Sequence, residues 1–149
     1  MTQAAKTMPR DWILVALLKA GDAGLNAVQL QKVMFLLGER RAKAVGRSFY
    51  SFDAYNYGPF SRNVYDDADA AIAAGLVELD ASWGRSRRTY HLTDAGRREA
   101  EKLAKALPRE GVEYLGQAVP WAQKLSFNEL VRAVYEAFPE MRKNSVFQD

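Results

Sequence analysis

The sequence predicts a mainly helical protein with one small antiparallel β-hairpin. The segment Gly75–Thr93 carries the clearest signal, because two short runs of alternating apolar residues flank a loop rich in arginine and glycine. A helical pattern ends at Gly75, and a new helix start signal follows the segment at Thr93 and Asp94. Helix, strand, basic loop, strand and helix, in this order, are the layout of a winged helix-turn-helix. We expect an added C-terminal helix after this module.

Length and composition indicate an ordinary globular protein. The 149 residues are 48% hydrophobic and 26% charged, enough for one winged-helix domain over 1–149 with a real core. We expect the winged-helix core over 10–107 and a C-terminal helical extension over 109–149. Cysteine is absent from the sequence, which excludes disulfides and thiolate ligands. Neither an apolar run of about 20 residues nor a secretory pattern is visible, so we expect a cytoplasmic protein with no membrane partner.

Two helices are predicted before the aromatic segment that begins at residue 49. The first ends near Gly21, and the second begins with Asn26 and Gln29 at capping-box spacing. The buried stripes, which recur at three- and four-residue spacing, are expected to hold Ile13, Ala16, Leu17 and Ala20 in the first helix and Leu30, Val33, Met34 and Leu37 in the second.

The aromatic segment 49–57 predicts a strand or extended stretch that Gly58-Pro59 ends. Ser61 is then placed to cap a third helix. The inner face of that helix is expected to hold Val64, Ala68, Ala71 and Ile72. Among the aromatic side chains we expect Phe52, Phe60 and one or two of the tyrosines in the core.

The chain after the hairpin is predicted to form a fourth helix that Pro108 ends, with its apolar face at Ala100, Leu103, Ala104 and Leu107. Glycine and proline interrupt the pattern over 109–124, so a short helix and a loop are expected there. Ser126 and Glu129 form a second capping box before a last apolar helix. Pro139 is expected to end that helix and leave a frayed tail.

Positive charge is concentrated around the predicted wing. Residues 85–109 hold eight basic and three acidic side chains, a net charge of +5 in a chain whose total is +3. Such asymmetry is typical of a nucleic-acid footprint, although solvated helices are also often basic. The candidate DNA-binding residues are Arg85, Arg87 and Arg88 in the wing, Arg97, Arg98 and Lys102 in the next helix, and Arg62 and Asn63 in the third helix.

The third helix weakens a simple DNA-binding interpretation. In a helix-turn-helix protein this helix reads base edges, but here Arg62 is its one cation against Asp66, Asp67 and Asp69. Carboxylates that face phosphates are repelled, so this acidic face suits a protein-binding surface better. The three aspartates are therefore the candidate residues for an alternative protein interface.

Catalysis and metal binding are not expected. His91 is the only histidine, and without cysteine it cannot build an ordinary zinc site. Glycine-rich phosphate-binding loops are absent, and the spacing of Ser61 and Asp66 does not support a catalytic triad with His91. We expect a non-enzymatic protein without a cofactor.

Several stretches resemble known families. The run RTYHLTDAGRREAEKL (Arg88–Leu103) resembles the wing strand and following helix of MarR- and PadR-type winged-helix regulators. The stretches LQKVMFLLGER (Leu30–Arg40), FDAYNYGPFSRNVYDDADAAIAAGLVE (Phe52–Glu78) and VYEAFPEMRKNS (Val134–Ser145) resemble the Panacea or SocA-like antitoxin domain and YwgA-like proteins. The resemblance implies a mainly helical, winged-helix-like protein of bacterial or phage type. Some members of that group act as antitoxins or protein adaptors, whereas the wing with three arginines favours the DNA-binding side of the relationship. The resemblance carries no catalytic residues across.

Two hypotheses follow. The first is a non-enzymatic regulator that binds double-stranded DNA through its basic wing. The second is an antitoxin-like or adaptor protein whose partner is another protein, such as a toxin or a protease substrate. A homodimer is compatible with the first hypothesis, because DNA-binding winged helices frequently pair on palindromic sites. The apolar last helix could pack between two copies, or it could cover the core of its own chain.

Overall fold

The computed structural model describes residues 7–80 and 88–148. In chain order its elements are α1 (Pro9–Ala20), a 3-10 turn (Gly21–Ala23), β1 (Leu25–Asn26), α2 (Ala27–Arg40), α3 (Ala42–Val45), β2 (Asp53–Tyr55), β3 (Gly58–Phe60), α4 (Arg62–Ala73), β4 (Val77–Asp80), β5 (Thr89–Leu92), α5 (Asp94–Ala106), α6 (Arg109–Lys124), α7 (Phe127–Ala137) and a second 3-10 turn (Pro139–Arg142).

Helices α1 and α2 form the centre of the molecule. Both predicted stripes are buried, which confirms them. The capping box of α2 is also confirmed: the Gln29 N–H donates to Asn26 Oδ1 at 2.8 Å, and the Asn26 N–H donates to Gln29 Oε1 at 2.9 Å. Burial extends beyond the stripes to almost every side chain from Trp12 to Leu17, because other helices cover α1 on several sides.

A three-stranded antiparallel sheet completes the winged-helix arrangement. Its order is β1-β5-β4, with Leu25 opposite Tyr90 and Val77 opposite Leu92. The predicted hairpin is therefore confirmed as β4 and β5, whereas the short strand β1 was not predicted. The order α1, β1, α2, α4, β4, β5 confirms the predicted fold class, with α3 and a separate hairpin inserted between α2 and α4. Residues 81–87, which include Arg85 and Arg87, lie outside the described part of the chain.

That inserted hairpin corrects the prediction for Gly58-Pro59. The two residues do not end the extended segment; they begin β3, which pairs with β2 so that Asp53 lies opposite Phe60. Gly58 has a φ of 102°, a conformation that glycine adopts without steric cost as the chain reverses direction. Pro59 is compatible with pairing because a two-stranded sheet consists only of edge strands.

Helix α4 is positioned by a contact that the sequence did not reveal. Ser61 occupies the N-cap position, as predicted, but its side chain makes no capping bond. Instead the Gln31 amide donates to the Ser61 carbonyl and accepts from the Ser61 N–H, both at 2.9 Å. On the inner face Val64 and Ala68 are buried, while Ala71 and Ile72 pack partly buried against the core.

Helix α6 corrects the expectation of a short helix and a loop over 109–124. It is one helix of 16 residues, and Pro120 lies inside it. Its apolar side chains are buried against α1 and α2, and a burial gain over several residues exceeds the helix-propensity cost of about 1 kcal/mol for each glycine and about 3 kcal/mol for the proline. The buried apolar residues of α6 are Val112, Leu115, Ala118, Val119 and Ala122.

The C-terminal segment is ordered onto the inserted hairpin, so the predicted fraying was wrong. The capping box that starts α7 is confirmed, with the Glu129 N–H donating to Ser126 Oγ at 3.1 Å. Beyond α7, the Tyr135 hydroxyl donates to Ser145 Oγ at 2.6 Å, and the Val146 N–H donates to the Asn56 carbonyl at 2.9 Å.

Within the described residues, no helix is both long and apolar enough to cross a membrane.

Candidate functional site

A groove of about 850 Å³ lies between α4 and the three-stranded sheet. The start of α2 forms one end, and the corner between α6 and α7 forms another wall. We call this feature the α4 groove. Its lining residues are Asn26, Ala27, Val28 and Gln29 from β1 and α2, Phe60, Arg62, Tyr65, Asp66 and Asp69 from β3 and α4, Leu79, Arg88 and Tyr90 from the sheet, and Leu125, Ser126, Phe127 and Leu130 from the corner.

Two of the predicted DNA-binding residues line this groove together. Arg62 comes from the first turn of α4, and Arg88 comes directly before β5, where the wing rejoins the sheet. Both side chains are exposed. Asn63 is exposed next to Arg62 but does not line the groove. The fold thus brings one cation of the third helix and one cation of the wing strand to the same surface feature.

The three predicted acidic residues divide between two environments. Asp66 and Asp69 are exposed and line the α4 groove. Asp67 is half-buried and accepts a hydrogen bond of 2.5 Å from the Tyr50 hydroxyl. Burial, and then the bond to Asp67, raise the pKa of Tyr50 far above its ordinary value, so the phenol keeps its proton. Asp67 therefore holds α4 to the segment before β2. Of the three predicted carboxylates, only those of Asp66 and Asp69 line the groove.

Aromatic rings form much of the remaining wall. Tyr65 packs edge-on against Phe60, with ring centroids 5.3 Å apart. Burial raises the pKa of both Tyr65 and Tyr90, and Tyr65 and Asp69 raise that of Tyr90 further while Arg88 lowers it. Both phenols are therefore neutral groups that can donate and accept hydrogen bonds. Together these walls offer apolar surface, hydroxyls and charges of both signs.

The aromatic side chains expected in the core are distributed between the core and the surface. Phe52, Phe60 and Tyr50 are partly buried, and Phe35 packs against Phe52 at 5.5 Å. Tyr55 and Tyr57 are 53% and 43% exposed. The exposed tyrosines belong to the inserted hairpin, and Tyr57 reaches the groove wall through an edge contact with Phe127 at 5.1 Å.

The cations of α5 lie away from the α4 groove. Arg97, Arg98 and Lys102 are exposed on a helix that packs against α1, and none of them lines the groove. The start of α5 instead meets the turn after α4, where Thr93 Oγ1 donates to the Gly75 carbonyl at 2.7 Å. Among the residues that the structure describes, the predicted basic footprint therefore divides between the groove and α5.

The single histidine contacts a threonine of its own strand. His91 Nε2 lies 2.6 Å from Thr89 Oγ1 on the same strand. In the part of the chain that the structure describes, no three His, Asp or Glu side chains converge into a group that could hold a metal ion.

Sequence reasoning missed one wall of this site and one buried charge that lies outside it. The wall from Leu125 to Phe127 was not predicted, because nothing local shows that the α6–α7 corner reaches α4. Lys32 was also missed: it is only 4% exposed on α2, near Gly58 and the Tyr135 ring, and burial lowers the pKa of its amine from 10.5 to about 8. A lysine inside the apolar run of Leu30–Leu37 was the available signal.

Comparison with protein-family models, with curated proteins and with solved structures finds no match for this chain.

Proposed function

We propose that the protein is a cytoplasmic, non-enzymatic transcription regulator that binds double-stranded DNA on the face that contains the α4 groove. The observation that supports this proposal is the convergence of Arg62 and Arg88 on one groove. In winged-helix proteins of the helix-turn-helix class, the third helix and the wing approach the duplex from one side. Arginine guanidinium groups form paired hydrogen bonds with phosphate oxygens, so two such groups on this face suit a DNA backbone.

In this proposal each basic group has a defined role. Arg62 and Arg88 contact phosphates and set the position of α4, while Asn63, exposed in the first turn of α4, contacts base edges. The wing residues Arg85 and Arg87 extend the contacts along the duplex. The α5 patch of Arg97, Arg98 and Lys102 adds phosphate contacts beyond the turn at Gly75.

Fluorescence anisotropy with random-sequence duplex DNA tests this proposal at low and moderate salt. We expect salt-sensitive binding, and we expect the Arg62→Ala/Arg88→Ala double variant to bind more weakly. The slope of log affinity against log salt should fall by about 0.9 for each lost phosphate contact. The matched control is Arg47→Ala, which removes an exposed arginine between α3 and β2. Unchanged affinity and slope in the double variant would contradict the proposal.

A second function is supported by the carboxylates of the same groove. Asp66 and Asp69 lie beside Tyr65 and Phe60, and they oppose any phosphate that enters. Apolar walls with charges of both signs suit a protein segment, because aromatic anchors and a polar rim are typical of protein interfaces. We propose as the alternative that the groove holds a partner protein, as an antitoxin-like or adaptor protein would.

Charge neutralisation at Asp66 and Asp69 separates the two functions. If DNA occupies the groove, Asp66→Asn/Asp69→Asn removes repulsion and should raise DNA affinity. If a protein partner occupies it, the same variant should weaken capture of that partner from the native host. Asp67→Asn is the matched control, because Asp67 faces Tyr50 rather than the groove. A double variant that changes neither DNA affinity nor capture would contradict both assignments.

A further inference from the structure

A second concave surface lies at the C-terminal end of α2, between α6 and α7. This α6–α7 cleft has a volume of about 350 Å³ and is lined mainly by apolar side chains. Trp121, at one end, is 39% exposed, which is unusual for the largest apolar side chain. None of the lining residues is shared with the α4 groove. The cleft therefore needs an explanation separate from the proposed function.

The cleft contains both a ridge and a hollow. On α6 the ridge consists of Tyr114 and Trp121, two helical turns apart, with the small Ala118 between them. On α7 the facing positions are Ala133 and Ala137, which leave space beside the ridge. A surface that carries both shapes can fit a rotated copy of itself, as a two-fold symmetric interface requires.

The apolar face of α7 is not available for this pairing. Leu130, Val131, Val134 and Tyr135 are all at most 3% exposed within their own chain. The structure thus decides the question that the sequence left open, because this face covers the core of its own molecule. Trp121 on α6 and Phe127 at the start of α7 are the large apolar side chains of these two helices that stay exposed, and Phe127 lines the α4 groove rather than the cleft.

The charges at the two ends of the α6 ridge are complementary under a two-fold rotation. Glu110 is one turn before Tyr114, and Lys124 is one turn after Trp121, so both share the face of the ridge. An antiparallel second α6 that crosses near Ala118 brings Tyr114 of each copy against Trp121 of the other. It also brings Glu110 of each copy toward Lys124 of the other. The opposed helix dipoles add to this attraction.

Arginine at the Tyr114 end supports the same geometry. The Arg41 guanidinium lies 4.9 Å from the centroid of the Tyr114 ring. In the antiparallel pairing this cation also faces Trp121 of the second copy, the aromatic side chain with the strongest cation–π attraction.

From these observations we propose that the α6–α7 cleft is the site at which a second copy of this chain docks, forming an antiparallel two-fold dimer. Because the cleft shares no lining residue with the α4 groove, the self-association is tested without DNA.

Sedimentation equilibrium of the full chain over about 1 to 100 μM, where weak protein–protein affinities are resolved, tests the proposal. We expect a monomer–dimer equilibrium that Trp121→Lys weakens at least about tenfold, as expected for the loss of a central aromatic anchor. Val146→Lys is the control, because Val146 is 58% exposed and lies outside the cleft. A monomer at every concentration, or a dimer insensitive to Trp121→Lys, would overturn the proposal.

A charge exchange provides a test that does not depend on removing the tryptophan. Glu110→Lys and Lys124→Glu should each weaken the dimer, because each places like charges opposite one another. The double variant Glu110→Lys/Lys124→Glu should restore association toward the wild-type level, since each pair is again of opposite sign. A double variant that associates no better than the single variants would show that another occupant or another orientation covers the cleft, and it would overturn the antiparallel dimer.

Discussion

The side-chain amide of Gln31 closes two hydrogen bonds with the backbone of Ser61, one to the carbonyl oxygen and one from the N–H, both at 2.9 Å. Gln31 is 2% exposed and Ser61 is 5% exposed, so water does not replace these bonds readily. Because Ser61 directly precedes α4, one side chain of α2 determines where the helix that lines the groove begins.

Replacement of Gln31 by leucine should therefore destabilise the protein by about 2–4 kcal/mol, because two buried backbone groups lose their partners. Chemical denaturation followed by circular dichroism measures this change. Gln148→Leu serves as the control, since Gln148 is exposed, makes no such bonds and lines neither the α4 groove nor the α6–α7 cleft. If the two variants were equally stable, the Gln31 bonds would contribute nothing to the position of α4.

Two glycines of α6 should respond in opposite ways to alanine. A Cβ at Gly111 would collide with the ring of Trp12, whereas at Gly116 the nearest atom is the Lys19 Cε at 4.0 Å. Gly116→Ala should stabilise the protein by up to about 1 kcal/mol through helix propensity. Gly111→Ala should destabilise it by about 1–3 kcal/mol, because the buried Trp12 must move.

Thermal or urea unfolding of these two variants gives a direct comparison, since each serves as the control for the other. Equal shifts of the same sign would show that the contact between α6 and α1 does not require glycine at residue 111.

The buried amine of Lys32 should make stability depend on pH. Its pKa is about 8 in the folded protein and 10.5 when unperturbed. Between these values the unfolded chain binds more protons than the folded chain, so stability rises with pH across this window. The burial cost is fully present below about pH 8 and amounts to at most about 3 kcal/mol.

Lys32→Met should consequently raise the free energy of unfolding near neutral pH, by about 1–3 kcal/mol. Its advantage over the wild type should shrink as the pH increases from about 8 toward about 10. Urea titrations at several pH values test this expectation, with Lys105→Met on the exposed side of α5 as the control. An advantage that stays constant with pH would mean that the amine does not titrate in this window.

The bond between Tyr50 and Asp67 should contribute to stability and not to binding. Tyr50→Phe removes the donor of a 2.5 Å hydrogen bond to a carboxylate and should cost about 1.5–3 kcal/mol. Tyr55→Phe is the control, because Tyr55 is 53% exposed. Denaturation curves measure the loss, and DNA titration of the same variants should show no change. A Tyr50→Phe variant as stable as the Tyr55→Phe control would indicate that the bond is replaced by water.

Local rules accounted for most of the helices, for two capping boxes and for the sheet hairpin. Asn26 with Gln29 and Ser126 with Glu129 depend on groups three residues apart, and so the spacing alone predicted both pairs of bonds. The apolar stripes of α1 and α2 were equally predictable from the sequence, because helical periodicity places their residues on one face. The two strands β4 and β5 followed from alternation on each side of a basic loop.

Local rules failed wherever a distant contact changed the outcome. Pro120 and the glycines predicted a break in α6, but burial against α1 and α2 keeps the helix continuous. Serine is a common helix N-cap, but the Ser61 side chain makes no capping bond. The amide of Gln31, thirty residues earlier in the chain, instead forms hydrogen bonds with the Ser61 backbone. The C-terminal tail was expected to fray, yet hydrogen bonds to the inserted hairpin hold Ser145 and Val146.

The sequence by itself determined the helical, winged-helix character of this protein, because caps, periodicity and strand alternation act over a few residues. It also supplied the candidate charged residues of both functional hypotheses. Only the tertiary structure decided how those charges combine, because packing between elements far apart in the chain placed Arg62, Arg88, Asp66 and Asp69 in one groove. The same packing placed the Asp67 carboxylate against the Tyr50 hydroxyl, and it left Trp121 exposed on α6.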